Sequence, residues 1–228
     1  MDPQAAPPSV STFVTPPREG STVTITAAQS NDWFSHNFEA APIMAILRGF
    51  GVRRSLELAT IAWDLGINSV EIPIQSPQDI ESLAAIASAG AARGLHVGAG
   101  TVLTPDHVRQ AADAGAAFTV SPGLDLDTVA ASLAAGMPSL PGIASSSEIQ
   151  RALGQGLSWV KAFPATALGT TWFKAQLGPF PQLNIVATGG VDAGNLRDYL
   201  GAGARVGAVG SALADESQLS ELAAIIAG

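Results

Sequence analysis

Trp159-Val160-Lys161-Ala162-Phe163-Pro164 is an apolar, aromatic-rich run of strand type, closed by a proline, with a lysine at its centre. An ammonium in such surroundings is costly without a partner, so burial favours the neutral amine. A neutral, desolvated amine is the form that attacks a ketone to make a Schiff base. The plainer alternative is a strand-end lysine that snorkels its charge into a surface ion pair. The chain holds one other lysine, Lys174, in an ordinary helical stretch. The segments around Lys161 decide between these readings.

Outward from 159–163, strand signals recur at 43–48, 69–74, 96–101, 117–121, 139–143, 184–188 and 205–210. Helical stretches separate them. Leu58, Ile61, Ala62 and Leu65 share one face, as do Ile80, Leu83 and Ala87, and Val108 with Ala111 marks a third helix. Glycines such as Gly66, Gly115 and Gly156 stand between a helix and the next strand, where a left-handed cap is wanted. Eight strand–helix units imply a parallel sheet, and their number predicts a compact, closed (β/α)8 TIM barrel. An open doubly wound sheet fits less well. Its glycine-rich dinucleotide turn is missing after the first strand, where Arg48-Gly49-Phe50-Gly51 stands instead.

Ahead of the barrel, residues 1–30 are rich in Pro, Ser, Thr and Ala, with a Thr-Val-Thr-Ile-Thr alternation at 22–26. They read as a flexible N-terminal tail, with the barrel domain at 31–228. Asn31 or Asp32 is expected to cap an N-terminal helix that carries Trp33, Phe34 and Phe38 on one face and plugs the barrel floor.

Of the 228 residues, 47% are hydrophobic and 13% charged, a balance suited to a large core. The net charge of −8 and the absence of a Lys/Arg run argue against nucleic acid as a partner. With no cysteine there is no disulfide or thiolate site, which agrees with a cytoplasmic location. No apolar run approaches the roughly 18 residues of a membrane span, and MDPQAAPPSV is unlike a secretory signal.

Active sites in such barrels lie at the C-terminal ends of the strands. Those ends read Arg48, then Glu71 with Gln75 just beyond, Thr101, Ser121-Pro122 and Pro141-Gly142. Lys161 with Phe163, Thr188-Gly189-Gly190 and Gly210-Ser211 complete the circuit. One carboxylate, one lysine and one arginine thus converge on one mouth. Arg48 and Glu71 could instead form a buried ion bridge, and Thr101 could be an ordinary strand-end hydroxyl. The glycine turns Gly189-Gly190 and Gly210-Ser211 stand where barrels hold phosphate on backbone N–H groups. His36, His96 and His107 are scattered and read as structural, and no cluster has metal-ligand spacing. Neither a metal nor a cofactor is expected.

The segments AILRG (45–49), VEIPIQSP (70–77), VGAGTVLTP (97–105), SPGL (121–124), PGIAS (141–145), VKAFPA (160–165), LGPFPQ (177–182), TGGVDAGNLRDYL (188–200) and GS (210–211) occur in unbroken order. Together they resemble the class I aldolases of 2-keto-3-deoxy-6-phospho-sugar acids. The resemblance covers the chain from about Pro42 onward. It implies that Lys161 forms the Schiff base and Glu71 shuttles protons, with Thr101 and Phe163 lining the keto-acid pocket. It also implies phosphate binding at Gly189, Gly190, Gly210 and Ser211, and a homotrimer.

Within that family the phosphogluconate-type enzymes carry an arginine where this chain has Gln75. The phosphogalactonate type carries one on strand one, matching Arg48. A substrate carboxylate needs a charged fork of donors, which Arg48 supplies and Gln75 does not. The reading is therefore cleavage of 2-keto-3-deoxy-6-phosphogalactonate to pyruvate and glyceraldehyde 3-phosphate. The alternative is a 2-keto-3-deoxy-6-phosphogluconate or 4-hydroxy-2-oxoglutarate aldolase. Rivals of another class are a phosphosugar isomerase and a non-catalytic barrel that binds a phosphorylated metabolite.

Overall fold

In the computed structural model, which describes residues 23–228, the strand signals fold as parallel strands. They are β1 Ile43–Ile46, β2 Ser69–Pro73, β3 His96–Gly100, β4 Thr119–Val120 and β5 Ser139–Leu140. β6 Gly142–Ile143, β7 Trp159–Ala162, β8 Asn184–Thr188 and β9 Val206–Val209 follow. Their lateral order is β5-β4-β3-β2-β1-β9-β8-β7-β6. The two ends of that order, β5 and β6, are separated in the chain by Pro141 alone. The expected barrel is therefore present, and its fifth strand is broken in two.

The expectation of one strand over 139–143 is corrected by Pro141, which has no N–H to give a ladder. On one side Ser139 and Leu140 pair with β4; on the other Gly142 and Ile143 pair with β7. The Pro141 carbonyl still accepts the Lys161 N–H at 2.9 Å. This break lies directly beside the lysine.

Helices α2 Gly51–Asp64, α3 Pro77–Ala91, α4 Pro105–Asp113, α5 Leu126–Ala134 and α6 Ser146–Gly154 return the chain between strands. Two helices follow β7, α7 Ala165–Leu168 and α8 Thr170–Leu177; α9 Ala193–Gly201 follows β8, and α10 Glu216–Ala227 is last. Side chains of Ser76, Thr104, Asp125, Ser145 and Asp192 accept the N3 backbone N–H of their helices. Each such cap stabilises its helix by about 1 kcal/mol.

Period-two alternation sorts the strand residues into two cores. Val70, Ile72, Val160, Ala162, Ile185 and Ala187 pack with the helices. Met44, Ile46, Phe118, Val120, Leu140, Trp159, Val186, Val206 and Ala208 pack with one another inside the barrel.

Phe34 and Phe38 join this inner cluster from the N-terminal helix α1, Ala27–Asn37, which closes the floor as expected. Its expected cap at Asn31 or Asp32 is corrected. Thr26 caps it, in a capping box with Gln29, so the helix begins inside the stretch read as tail. Asn31 instead clamps the start of β7: its Oδ1 accepts the Ser158 N–H at 2.9 Å and its Nδ2 donates to the Gly156 carbonyl at 2.8 Å. Of the stretch read as a flexible tail, residues 1–22 lie outside the described residues, and Ile25 donates its N–H to the Leu133 carbonyl.

Candidate active site

Lys161 is the inward residue of β7 two places above Trp159, and it is 3% exposed. The snorkelling alternative is therefore overturned. Glu71, on the inward face of β2, is fully buried, and its Oε1 lies 4.0 Å from Lys161 Nζ. Neither carboxylate oxygen has a hydrogen-bond partner in this structure, and no hydrogen bond reaches the Lys161 amine among the described residues. Buried ionisable groups left so bare are rare, because the interior does not replace the water they lose.

The carboxylate fits only because β3 is glycine at that height. A Cβ on Gly100 would fall 1.8 Å from Glu71 Oε1, and one on Gly98 would fall 2.3 Å from the Phe118 ring. The two glycines of VGAG therefore make room, one for the site and one for the core beneath it.

Above this pair the mouth is polar and open. Arg48, one residue past Leu47, is exposed and donates from Nη1 to Gln75 Oε1. Among the described residues no carboxylate lies within ion-pair distance of it. The alternative of an Arg48–Glu71 bridge is thus overturned: Glu71 faces Lys161, and Arg48 keeps an uncompensated charge. The Gln75 N–H is in turn held by Asp79 Oδ2 at 3.1 Å.

Thr101 follows β3 with φ 56, the only non-glycine residue at positive φ among those described. Phe163 is half-buried, with its ring centroid 5.4 Å from Lys161 Nζ. Gly189 and Gly190 turn the chain after β8 with φ 98 and 75. Gly210 and the exposed Ser211 follow β9, the strand that pairs with β8.

The sequence places Thr188 at a strand end of the mouth but gives it no role of its own. It is buried, its hydroxyl has no partner, and it lies two residues beyond Val186, the register partner of Lys161. Alternation along β8 carries the signal, because Val186 and Thr188 must face the same way. None of the histidines is in contact with Lys161 or Glu71 among the interactions of the described residues. His36 is 3.4 Å from Glu39, His107 Nδ1 accepts the Leu103 N–H, and His96 packs against Trp33 at the floor. Burial, with His36 beside it, lowers the His96 pKa below the usual imidazole value.

An inward amine beside a bare carboxylate, under an apolar collar and an open cationic rim, suits attack on the ketone of an anionic substrate. The profile of the aldolase family "KDPG and KHG aldolase" matches residues 35–227. A 2-dehydro-3-deoxy-phosphogluconate aldolase of Treponema pallidum is 40% identical over 160 residues, covering 70% of this chain and 74% of that protein. A 2-dehydro-3-deoxy-6-phosphogalactonate aldolase of Escherichia coli is 35% identical over 173 residues, covering 75% and 84%. The crystal structure of a KDPG aldolase from Legionella pneumophila, with pyruvate captured at low pH as a covalent carbinolamine intermediate, is 30% identical. It aligns with a TM-score of 0.73 over 83% of this chain and 94% of that one.

Proposed function

This chain belongs to the KDPG and KHG aldolase family, and from that premise we propose that it cleaves 2-keto-3-deoxy-6-phosphogalactonate through a Schiff base on Lys161. The observation that carries the reading is the buried Lys161–Glu71 pair, 4.0 Å apart, with both carboxylate oxygens unbonded. Buried and unbonded at the mouth, these oxygens are free to bond a substrate.

In this reading the neutral Lys161 amine attacks the C2 ketone, and Glu71 passes protons as the carbinolamine loses water to give the iminium. Glu71, through a water, then takes the proton of the C4 hydroxyl. The C3–C4 bond breaks, its electron pair moves into the iminium as an enamine, and glyceraldehyde 3-phosphate leaves. Protonation at C3 and hydrolysis of the imine release pyruvate and restore the amine. Arg48 holds the substrate carboxylate, and Thr101 and Phe163 line the keto-acid pocket. The turns at Gly189-Gly190 and Gly210-Ser211 take the phosphate.

The choice of C4 epimer rests on Arg48, the basic side chain at the end of strand one, with neutral Gln75 as its partner and no carboxylate within ion-pair distance among the described residues. The Treponema pallidum relative, an aldolase named for the phosphogluconate substrate, favours that substrate as the second reading.

Borohydride with pyruvate should add one pyruvate-derived group, on Lys161; labelling of Lys174, or none, removes the imine mechanism. Comparing kcat/KM for the two C4 epimers then decides the substrate. The assembly that accompanies this reading is a homotrimer, so light scattering should give three times the chain mass of 23.1 kDa.

A further inference from the structure

The turn after β8 is held from behind by two side chains that no step of the reaction uses. The Gly189 carbonyl accepts both the backbone N–H and the Oγ1 hydroxyl of Thr166, each at 3.2 Å. The Gly190 carbonyl accepts from Asn195 Nδ2 at 2.9 Å. Both peptides are trans, so the N–H of each points opposite to its carbonyl. The Gly189 carbonyl shares its peptide with the Gly190 N–H, and the Gly190 carbonyl shares its peptide with the Val191 N–H. Pulling both carbonyls back therefore turns two consecutive N–H groups away from the clasps. Among the described residues, neither the Gly190 nor the Val191 N–H has a hydrogen-bond partner.

We propose that Asn195 and Thr166 are positioning residues: through the peptide planes of Gly189 and Gly190 they aim two free backbone N–H groups at one phosphate. The proposal rests on the reading that this turn takes the substrate phosphate, and it says what makes the turn an anion site.

Asn195 is well placed for this because its other end is fixed. Its Oδ1 accepts the Asp192 N–H at 3.1 Å, completing the capping box of α9. The Asp192 carboxylate, which would repel an anion, is engaged by the Asn195 N–H at 3.1 Å. Thr166 also explains why position 190 is glycine. A Cβ there would fall 2.6 Å from the Thr166 methyl, and φ is 75. Since Thr166 lies five residues after Lys161, it ties the anion turn to the strand that carries the amine.

The test separates phosphate recognition from folding. In the Asn195→Ala enzyme, KM for the phosphorylated substrate and the inhibition constant of inorganic phosphate should both rise by about five- to tenfold, the scale of one lost hydrogen bond. Trapping of pyruvate by borohydride involves no phosphate and should change far less. Thr166→Val leaves every helix cap intact, so it serves if Asn195→Ala folds poorly. It should give a smaller shift of the same kind, because the Thr166 N–H still holds Gly189, and Thr166→Ser should restore the wild-type constants. A parallel fall in phosphate binding and pyruvate trapping would show a merely structural role and overturn the proposal. So would phosphate inhibition unchanged in both variants. If inorganic phosphate fails to compete even in the wild type, the phosphate assignment of the turn is wrong, and the proposal falls with it.

Discussion

The two ends of the barrel treat polar groups in opposite ways. At the floor, the polar side chains of α1 that meet the strand starts find partners. Trp159 Nε1 donates to Ser35 at 3.0 Å, Ser30 accepts the Ser139 N–H at 3.1 Å, and Asn31 holds the start of β7 at both ends of its amide. At the mouth, Glu71 and Thr188 are buried with nothing to bond, Arg48 has no counter-charge, and Thr101 sits at positive φ. Both ends belong to the same strands: β7 begins at Trp159 and reaches Lys161 two residues later. On the proposed reading, the floor serves stability and the mouth serves chemistry. Substitutions at the two ends should therefore fail in different ways.

The largest effect is expected from Lys161→Met combined with Glu71→Met. Loss of the nucleophile should lower turnover by at least about 10³-fold, on the scale seen when a covalent catalyst is removed. Replacing buried, paired ionisable groups by well-packed apolar residues of similar volume is commonly neutral or stabilising, by about 1–4 kcal/mol. The double variant should thus be inactive with a melting temperature no lower than the wild type. A marked fall in melting temperature would mean that the pair holds the mouth together.

Phe34→Ala should do the reverse. Its ring is fully buried among Trp33, Phe38, Phe118 and Trp159, and such truncations cost about 3–5 kcal/mol. Denaturant titration should show that loss, while borohydride trapping of pyruvate per folded molecule stays near the wild-type level. If trapping falls with stability, the two ends are not independent.

Much of this division can be read from the sequence, because alternation along short strands fixes which residues look inward. Lys161, Glu71 and Phe163 follow from that rule together with the position of each strand end. The break at Pro141 was legible only as a proline inside a strand signal; that both halves pair, with different neighbours, depends on barrel closure. Glu71 needs Gly100 across the β2–β3 register, and no local pattern announces a contact between strands. Asn31 looked like a helix cap because Asn favours caps, yet its tertiary partners at Gly156 and Ser158 claimed it and left the cap to Thr26. The clasps at Thr166 and Asn195 are legible only once α7 and α9 are placed on either side of the turn.

At the rim the expected effects are smaller. If Arg48 grips the substrate carboxylate as proposed, Arg48→Ala removes a charge-assisted contact worth roughly 1.5–3 kcal/mol. KM for the keto acid should rise by about ten- to a hundredfold, with stability unchanged because the side chain is exposed. Gln75→Ala should weaken pyruvate binding much less. If Gln75→Ala has the greater effect on pyruvate, Arg48 is not the clamp, and the preference for the phosphogalactonate substrate goes with it.

The smallest effect tests whether the mouth gives up stability for geometry. Thr101 is β-branched and held at φ 56, where its Cβ crowds the backbone; such residues carry strain of about 1–3 kcal/mol. Its neighbours leave it little choice. Gly100 must stay in register opposite Pro73 to clear Glu71, while the Val102 N–H is bound to the Val120 carbonyl at 3.1 Å. The chain has to turn within one residue, and that residue carries a hydroxyl at the mouth. Glycine accepts this conformation without strain, but its freer unfolded chain costs about 0.5–1 kcal/mol. Thr101→Gly should therefore stabilise the protein by about 1 kcal/mol, raising the melting temperature by about 2–4 °C, while kcat/KM falls through loss of the hydroxyl. Thr101→Ser should keep more of the activity and none of the added stability. A Thr101→Gly protein that melts below the wild type would show that Thr101 is unstrained, and the contrast between floor and mouth would then rest on Glu71, Thr188 and Arg48 alone.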